Sequence, residues 1–219
     1  MLRAVIFDLD DTLVDHRTAS ATAVVSWAAS HDISDPDVST RWASISDTHY
    51  ARYQRRELTF AQHRRARVRD FLGIEVDDAR ADTIFSGYLE RYEDAWRAFD
   101  DAAPALRRAR AAGLRVLVLT NGEESHQRHK LERVGLAGEI DQLIASSALP
   151  AAKPDPRAFL HTLRHADAEP AEALMVGDSI HHDVRGALAA GLDAILLDRH
   201  DAHPDAEARR IASLDDLVF

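Results

Sequence analysis

The sequence predicts an α/β protein, with a Rossmann-like, doubly wound parallel sheet and an all-helical domain inserted into it. Two observations lead to this prediction. Short apolar runs, typical of strands that are buried on both faces, alternate with helical patterns of about ten residues. One long stretch near the N-terminus lacks such runs and shows helical apolar spacing instead.

Five apolar runs are the candidate strands. In chain order they are residues 2–7, 114–119, 140–145, 174–176 and 194–197, of which the third is the weakest. Helical patterns lie between them, at residues 102–112, 123–134, 157–165 and 181–190. Glycine follows three of these helices, at positions 113, 135 and 191, as is common at the C-terminal end of a helix.

The inserted domain is expected at residues 17–98, which leaves residues 1–16 and 99–219 for the α/β core. The insertion contains two glycines and all three tryptophans of the chain. Its apolar residues recur at helical spacing, for example at Ile84, Tyr88 and Tyr92. We therefore expect a small helical bundle.

Composition and charge exclude several classes of protein. The 219 residues carry a formal net charge of −10, whereas a general nucleic-acid binder needs a basic face. The chain has no cysteine, which excludes disulfides, thiolate zinc sites and a cysteine nucleophile. No apolar run approaches the roughly 20 residues that span a bilayer, and the N-terminus lacks a signal-peptide pattern. We expect a cytoplasmic protein without membrane or nucleic-acid partners.

Four polar clusters lie just beyond the ends of predicted strands. They are DLDDT at residues 8–12, TNG at 120–122, KPDP at 153–156, and GDS at 177–179 together with Asp183. The carboxyl ends of parallel strands share one edge of a sheet, where ligands bind. We therefore expect these four groups, distant in sequence, to converge on one small volume.

The convergence would bring three carboxylates together, and they would repel one another unless a cation neutralised them. Oxygen ligands without cysteine favour a hard ion, and Mg²⁺ is the prediction. Each cluster alone has an ordinary structural explanation: Asp-x-Asp as a turn, Thr-Asn as a helix cap, Lys153 as a solvated loop residue, Ser179 as a helix N-cap. Their occurrence in this order, each after a strand, indicates a functional site.

The motifs FDLDDT, LTNG, KPDP and GDSIHHD resemble, in that order, the four motifs of the haloacid dehalogenase-like hydrolase superfamily. The resemblance covers the whole chain and implies that the helical insertion is a cap domain over the active site. Residues 120–136 (TNGEESHQRHKLERVGL) and KPDPRAF are similar to the cap-bearing subgroup that contains nucleotidases, sugar-phosphate phosphatases and the dehalogenases.

The resemblance implies roles for the residues of the first and fourth motifs. Asp8 would be the nucleophile that attacks phosphorus to form an aspartyl-phosphate, which water then hydrolyses. Asp10 would protonate the leaving oxygen and later deprotonate the attacking water. Mg²⁺ would be held by the carboxylates of Asp8 and Asp178 and by the backbone carbonyl of Asp10. Thr12 is expected to brace the nucleophile loop.

The second and third motifs would handle the phosphoryl group. Thr120, with the backbone around Asn121 and Gly122, would hold the phosphoryl oxygens. Lys153 would balance the charge on the nucleophile and on the phosphoryl group. Asp183 would orient Lys153 or a metal-bound water; the alternative is an acidic residue in the first turn of a helix, favoured by the helix dipole.

The expected function is a Mg²⁺-dependent phosphatase acting on a small phosphorylated metabolite, with nucleoside monophosphates and sugar or sugar-acid phosphates as expected substrates. Three alternatives stay open. A 2-haloacid dehalogenase is disfavoured because the dehalogenases of this superfamily lack an aspartate at the position of Asp10. A phosphomutase retains an acidic residue there and donates phosphate from a phosphorylated enzyme. A non-catalytic module that binds phosphate esters is disfavoured because all the chemical groups are present.

Overall fold

The computed structural model describes residues 1–219 and contains one six-stranded sheet. Its strands are β1 (Ala4–Phe7), β2 (Arg115–Thr120), β3 (Gln142–Ala145), β4 (Ala173–Gly177), β5 (Asp193–Leu197) and β6 (Arg210–Ile211). Their order is β3-β2-β1-β4-β5-β6, and every neighbouring pair is parallel. The five predicted strands are confirmed. The sequence did not predict β6, because two residues are too few to show a strand pattern.

The chain divides into two compact units. One comprises residues 1–15 with 97–219, and the other residues 16–96, whereas the insertion was expected at 17–98. The helices, in chain order, are α1 (His16–Ala29), α2 (Val38–Gln54), α3 (Phe60–Leu72), α4 (Asp78–Asp94), α5 (Ala102–Ala111), α6 (Glu124–Arg133), α7 (Pro156–Leu163) and α8 (Gly186–Ala189). Helices α1–α4 form the second unit, and the sheet with α5–α8 forms the first.

The side chains of β1 show why both faces of the sheet are covered. Successive residues of a strand point to opposite faces. Val5 and Phe7 pack into a hydrophobic cluster to which α5 and α6 contribute, whereas Ala4 and Ile6 pack into a second cluster with α7 and α8. All four side chains are fully buried. This arrangement confirms the predicted doubly wound α/β fold.

The segment after β4 departs from the predicted helix at residues 181–190. It forms a π-helical turn at Ile180–Arg185 before the short helix α8 begins. The N–H of Val184 donates to the carbonyl of Ser179, five residues back, and this widens the turn. The Ser179 hydroxyl accepts from the N–H of His182 and starts the turn. Such turns are rare in proteins as a whole, and many of those that occur lie at functional sites.

The unit at residues 16–96 is a four-helix arrangement with an aromatic core. Trp27 and Trp42 are fully buried, and their ring centroids lie 5.2 Å apart. Phe71 stacks on Trp27, and Tyr88 lies 4.5 Å from Trp42. Large aromatic side chains bury much apolar surface while folding fixes few rotatable bonds, and this suits a small helical bundle. None of the helices in the whole chain is long and apolar enough to cross a membrane.

Candidate active site

The first motif follows β1 at the carboxyl edge of the sheet. The N–H of Asp8 continues the sheet pairing by donating to the carbonyl of Val176 in β4, 2.9 Å away. The Thr12 hydroxyl lies 3.5 Å from a carboxylate oxygen of Asp8 and accepts a hydrogen bond from the N–H of Asp178. Thr12 is fully buried. It therefore links the loop after β1 to the loop after β4, as a bracing residue would.

Lys153 lies between two of the predicted carboxylates. Its ammonium group is 2.5 Å from Asp8 Oδ1 and 2.6 Å from Asp183 Oδ1. Burial opposes the charged form of this lysine, but the two adjacent carboxylates outweigh that effect and raise the pKa of Lys153. The ammonium group therefore carries its positive charge beside Asp8 at neutral pH.

The side chain of Asn121 holds the loop that carries Lys153. Its amide group donates to the carbonyl of Lys153 and accepts from the N–H of the same residue, both at 2.9 Å. The neighbouring Gly122 donates its own N–H to the Ser146 hydroxyl. The second motif thus fixes the third motif in place, which is a contact that the sequence did not predict.

Asp183 is buried and uses both carboxylate oxygens. Oδ1 accepts from Lys153 Nζ, and Oδ2 accepts from the N–H of Ser179 at 3.0 Å. Asp183 is 1% exposed. The Asp183 carboxylate therefore joins the Lys153 ammonium to the backbone of the loop after β4.

The carboxylates of this edge carry the electrostatic signature of a cation site. Burial raises the pKa of Asp8 to about 7, with the Asp183 carboxylate adding to the rise and Lys153 opposing it. Burial raises the pKa of Asp178 to about 8, with the charges of Asp8 and Asp183 adding to it. Carboxylates crowded in this way resist ionisation because each ionised group repels the others. A bound divalent cation would remove that penalty.

The donor set at this position fits a hard metal ion. Oxygen atoms of Asp8, Asp178 and Asp183 all lie within 4.8 Å of one another. Both oxygens of Asp183 accept hydrogen bonds of ordinary length, at 2.6 and 3.0 Å, whereas Oδ2 of Asp8 has only a long contact of 3.5 Å with the Thr12 hydroxyl. Asp8 and Asp178 are therefore the better candidates for direct ligands. Carboxylate oxygens without sulfur or imidazole suit a hard ion rather than zinc.

Asp10 and Thr120 are joined by a residue that the sequence analysis missed. The side-chain amide of Gln127 in α6 donates to Asp10 Oδ2 at 3.0 Å and to the Thr120 hydroxyl at 2.9 Å. Lys130, one helical turn further, lies 2.5 Å from Asp10 Oδ1. Gln127 and Lys130 are three residues apart on a predicted helix and so share one face of it. This spacing, on the helix that follows Thr120, is the signal that could have identified the two residues.

Arg199 is a third residue that the sequence analysis missed, and it supports the loop after β1. Arg199, after β5, donates to the carbonyl of Thr12 at 3.0 Å and makes a two-pronged ion pair with Asp101, with both N–O distances at 2.8 Å. Its guanidinium also stacks on Phe99 at 3.9 Å. Two-pronged pairs of this kind fix orientation as well as charge.

The four motifs lie within a region of the chain that matches the model of a known protein family. The family model described as a haloacid dehalogenase-like hydrolase matches residues 2–191. That match covers most of the chain and includes all four motifs. The protein therefore belongs to the haloacid dehalogenase-like hydrolase family, and it is a hydrolase.

Individual relatives narrow the comparison. A phosphoserine phosphatase from Thermus thermophilus is 40% identical over 119 residues, which are 54% of this chain and 48% of that protein. A glyceraldehyde 3-phosphate phosphatase from Methanopyrus kandleri is 26% identical over 99% of this chain and 92% of its own length. A solved 2-haloacid dehalogenase from Pseudomonas syringae is 26% identical with a TM-score of 0.70, covering 98% of this chain and 95% of that one. The two phosphatase relatives support a hydrolase that acts on phosphate esters.

Proposed function

We propose that this protein is a Mg²⁺-dependent phosphatase that hydrolyses the phosphate monoester of a small metabolite through an aspartyl-phosphate intermediate. The observation that carries the proposal is that Asp8 and Asp10, two residues apart, have different surroundings. The Asp8 carboxylate contacts the Lys153 ammonium group beside a cluster of carboxylates. The Asp10 carboxylate instead contacts the side chains of Gln127 and Lys130. A nucleophile and a separate acid–base group are what stepwise phosphate hydrolysis requires.

Asp8 would attack phosphorus and receive the phosphoryl group. An anionic nucleophile approaching an anionic phosphate meets repulsion, which positive charge must offset. Lys153, buried and 2.5 Å from Asp8, supplies one such charge. Mg²⁺, held by the carboxylates of Asp8 and Asp178 and the carbonyl of Asp10, would supply the other.

Asp10 would give its proton to the leaving oxygen and then take a proton from the water that attacks the aspartyl-phosphate. Its side chain is 29% exposed, so it reaches beyond the buried groups behind it. Thr120 is tied to the same Gln127 and would bind a phosphoryl oxygen through its hydroxyl group. Asn121 and Gly122 would complete that phosphate cradle, and Asp183 would keep Lys153 oriented.

The aspartate at position 10 favours phosphate-ester hydrolysis over halide displacement, because a halide leaves without protonation and an alkoxide does not. We propose nucleoside monophosphates and sugar or sugar-acid phosphates as the substrate class, with residues 17–98 as the cap domain that selects among them. The two phosphatase relatives are named for small phosphorylated metabolites, phosphoserine and glyceraldehyde 3-phosphate, which supports a small-metabolite substrate and, through the second, a sugar phosphate.

The test is phosphate release from a panel of nucleotides, sugar phosphates, sugar-acid phosphates and an activated aryl phosphate, with Mg²⁺ or with a chelator. We expect release that requires Mg²⁺ and is abolished in Asp8→Asn. Asp11→Asn is the matched control: it removes a neighbouring carboxylate, and asparagine tolerates the positive φ of 60° at that position.

Two outcomes would contradict the proposal. The first is no release by the wild-type protein from any member of the panel. The second is release that persists in Asp8→Asn or in chelator. Halide release from 2-haloacids by the wild-type protein would instead support the dehalogenase, and isomerisation of a sugar phosphate without net phosphate loss would support the mutase.

A further inference from the structure

The chain uses lysine in two places only. Of its 27 lysine and arginine residues, Lys130 and Lys153 are the lysines and all others are arginine. The Lys153 ammonium group contacts the carboxylate of Asp8, the expected nucleophile, and the Lys130 ammonium group contacts the carboxylate of Asp10. The two lysine ammonium groups of the chain are therefore the cations that contact Asp8 and Asp10 of the first motif.

The surroundings of Lys130 differ from those of an ordinary surface ion pair. Its side chain is 2% exposed, whereas that of Asp10 is 29% exposed. The ammonium group thus lies behind the carboxylate, on the side away from solvent. A long cationic side chain that is buried loses both hydration and rotamer freedom, so its burial needs a specific partner. Asp10 Oδ1, 2.5 Å away, is such a partner.

Gln127 holds the other oxygen of the same carboxylate. It is 3% exposed, and its side-chain nitrogen donates to Asp10 Oδ2 and to the Thr120 hydroxyl. Lys130 and Gln127 lie three residues apart on α6, so one face of one helix contacts both oxygens of Asp10. The carboxylate is therefore held at two points and tied to the residue proposed to bind phosphate.

We propose that Lys130 is a positioning residue for the acid–base aspartate: with Gln127, it fixes the Asp10 carboxylate at the angle from which it reaches the leaving oxygen. This inference rests on the proposed phosphatase function. An ammonium group suits the position because it is compact and can be saturated by few acceptors. A guanidinium has five donors in a rigid plane, most of which would stay unpaired at a buried site.

The proposal predicts which substrates suffer when Lys130 is changed. A misplaced acid slows departure of a poor leaving group, such as a sugar alkoxide, far more than departure of an activated phenolate, which needs little protonation. The quantity to compare is kcat/KM, because it reports the steps through first phosphoryl transfer. Binding of inorganic phosphate, measured as competitive inhibition, should be unchanged, because the proposed role of Lys130 is exerted on the Asp10 carboxylate and not on the phosphoryl group.

The experiment compares the wild-type protein with Lys130→Met, Gln127→Leu and Asp10→Asn on one alkyl and one aryl phosphate. We expect Lys130→Met to lower kcat/KM about 100-fold on the alkyl ester, with a clearly smaller loss on the aryl ester. Gln127→Leu should show the same asymmetry and Asp10→Asn its upper limit. Arg128→Met is the matched control, because it removes an exposed cation of the same helix that pairs with Glu124.

Chemical rescue gives a second, independent readout. Because the chain lacks cysteine, Lys130→Cys can be alkylated with 2-bromoethylamine in the unfolded state and refolded, which restores an ammonium group at nearly the same reach. The wild-type protein, taken through the same unfolding and refolding, is the control. We expect the alkylated protein to regain most of the activity on the alkyl ester that Lys130→Cys loses.

The possible failures can be told apart. No Asp8-dependent release by the wild-type protein overturns the proposed function itself. Wild-type release with an equal loss on both esters in Lys130→Met, or with weakened phosphate inhibition, overturns only the positioning role. Lack of rescue in alkylated Lys130→Cys, when the refolded wild-type protein is active, overturns it as well.

Discussion

At Gly177 the backbone passes so close to Asp183 that no side chain fits between them. A β-carbon built at Gly177 would lie 2.7 Å from the β-carbon of Asp183 and closer still to its carboxylate. The backbone angles of Gly177 are ordinary, so the requirement for glycine comes from close approach rather than from a left-handed conformation. The strand end is thereby packed directly against the residue that holds Lys153.

Gly177→Ala should disable the site while leaving the sheet intact. The new methyl group would displace Asp183, and with it the ammonium of Lys153, so we expect kcat for phosphate release to fall about 100-fold. Gly138→Ala is the control, because a β-carbon there meets nothing within 4 Å. Wild-type kcat in Gly177→Ala would show that Asp183 does not need this position.

At the scale of single elements, α3 shows how local sequence fixes a helix end. The Thr59 hydroxyl accepts from the N–H of Gln62, and the Gln62 side chain accepts from the N–H of Thr59. This reciprocal arrangement satisfies two N–H groups that a helix start leaves unpaired. At the other end, Gly73 has a φ of 64°, a conformation that glycine adopts without steric cost.

Thr59→Ala should lower the free energy of unfolding by about 1 kcal/mol, because it removes one partner of the capping box. Urea denaturation followed by circular dichroism measures the change. Thr59→Ser, which keeps the hydroxyl, should restore most of the loss. Thr48→Ala, an exposed position inside α2, should change stability little. An unchanged midpoint in Thr59→Ala would mean that water replaces the lost cap at no cost.

The element after β4 shows where local pattern and structure part. The apolar spacing of residues 181–190 predicts a regular helix, yet the chain forms a π-helical turn first. Asp183 explains the difference, because its carboxylate accepts from both Ser179 and Lys153 and so fixes the width of the turn. A contact with a residue thirty positions away is invisible to a periodicity argument.

At the scale of the whole molecule, the response to acid depends on a buried histidine. His63 in α3 is 3% exposed and packs among Tyr53 and Phe60. Burial lowers the pKa of His63 to about 3, and the cations of Arg67 and Arg64 add to the shift. The neutral form is therefore the one that the folded protein accepts.

The sign of the pH effect follows from that depressed pKa. Below pH 6.5 the unfolded chain binds a proton at His63 that the folded chain refuses, so the contribution of His63 to the free energy of unfolding falls as the pH drops from 6.5 towards 3. His63→Phe should remove this contribution, so between pH 7 and pH 4.5 the free energy of unfolding of the variant should shift by roughly 2.7 kcal/mol in its favour relative to the wild-type protein. Denaturant unfolding at pH 7, 6, 5 and 4.5 measures it.

The control for this prediction is His200→Phe, at an exposed position outside the helical unit. It should leave the slope of stability against pH as it is in the wild-type protein. A His63→Phe protein with the wild-type slope would mean that His63 becomes protonated without cost in the folded state, for example through a change in its surroundings.

The sequence by itself determined five of the six strands, the positions of four motifs at strand ends, and the family. These features depend on the order of residue types along short segments: a strand such as β1 is apolar because both its faces are covered, and parallel strands bring their ends to one edge. The clusters that contain Asp8, Thr120, Lys153 and Asp178 could be picked out on that basis, and the resemblance to the family singled out these residues within them.

Only the tertiary structure decided which groups surround those residues. Lys130 contacts Asp10 across 120 positions of sequence, and Arg199 contacts the carbonyl of Thr12 across 187. Neither residue stands in one of the four polar clusters, and each is an ordinary helix or loop cation until its neighbours are known. The physical reason is that burial and pairing are properties of a place in the folded chain, whereas periodicity is a property of the chain itself.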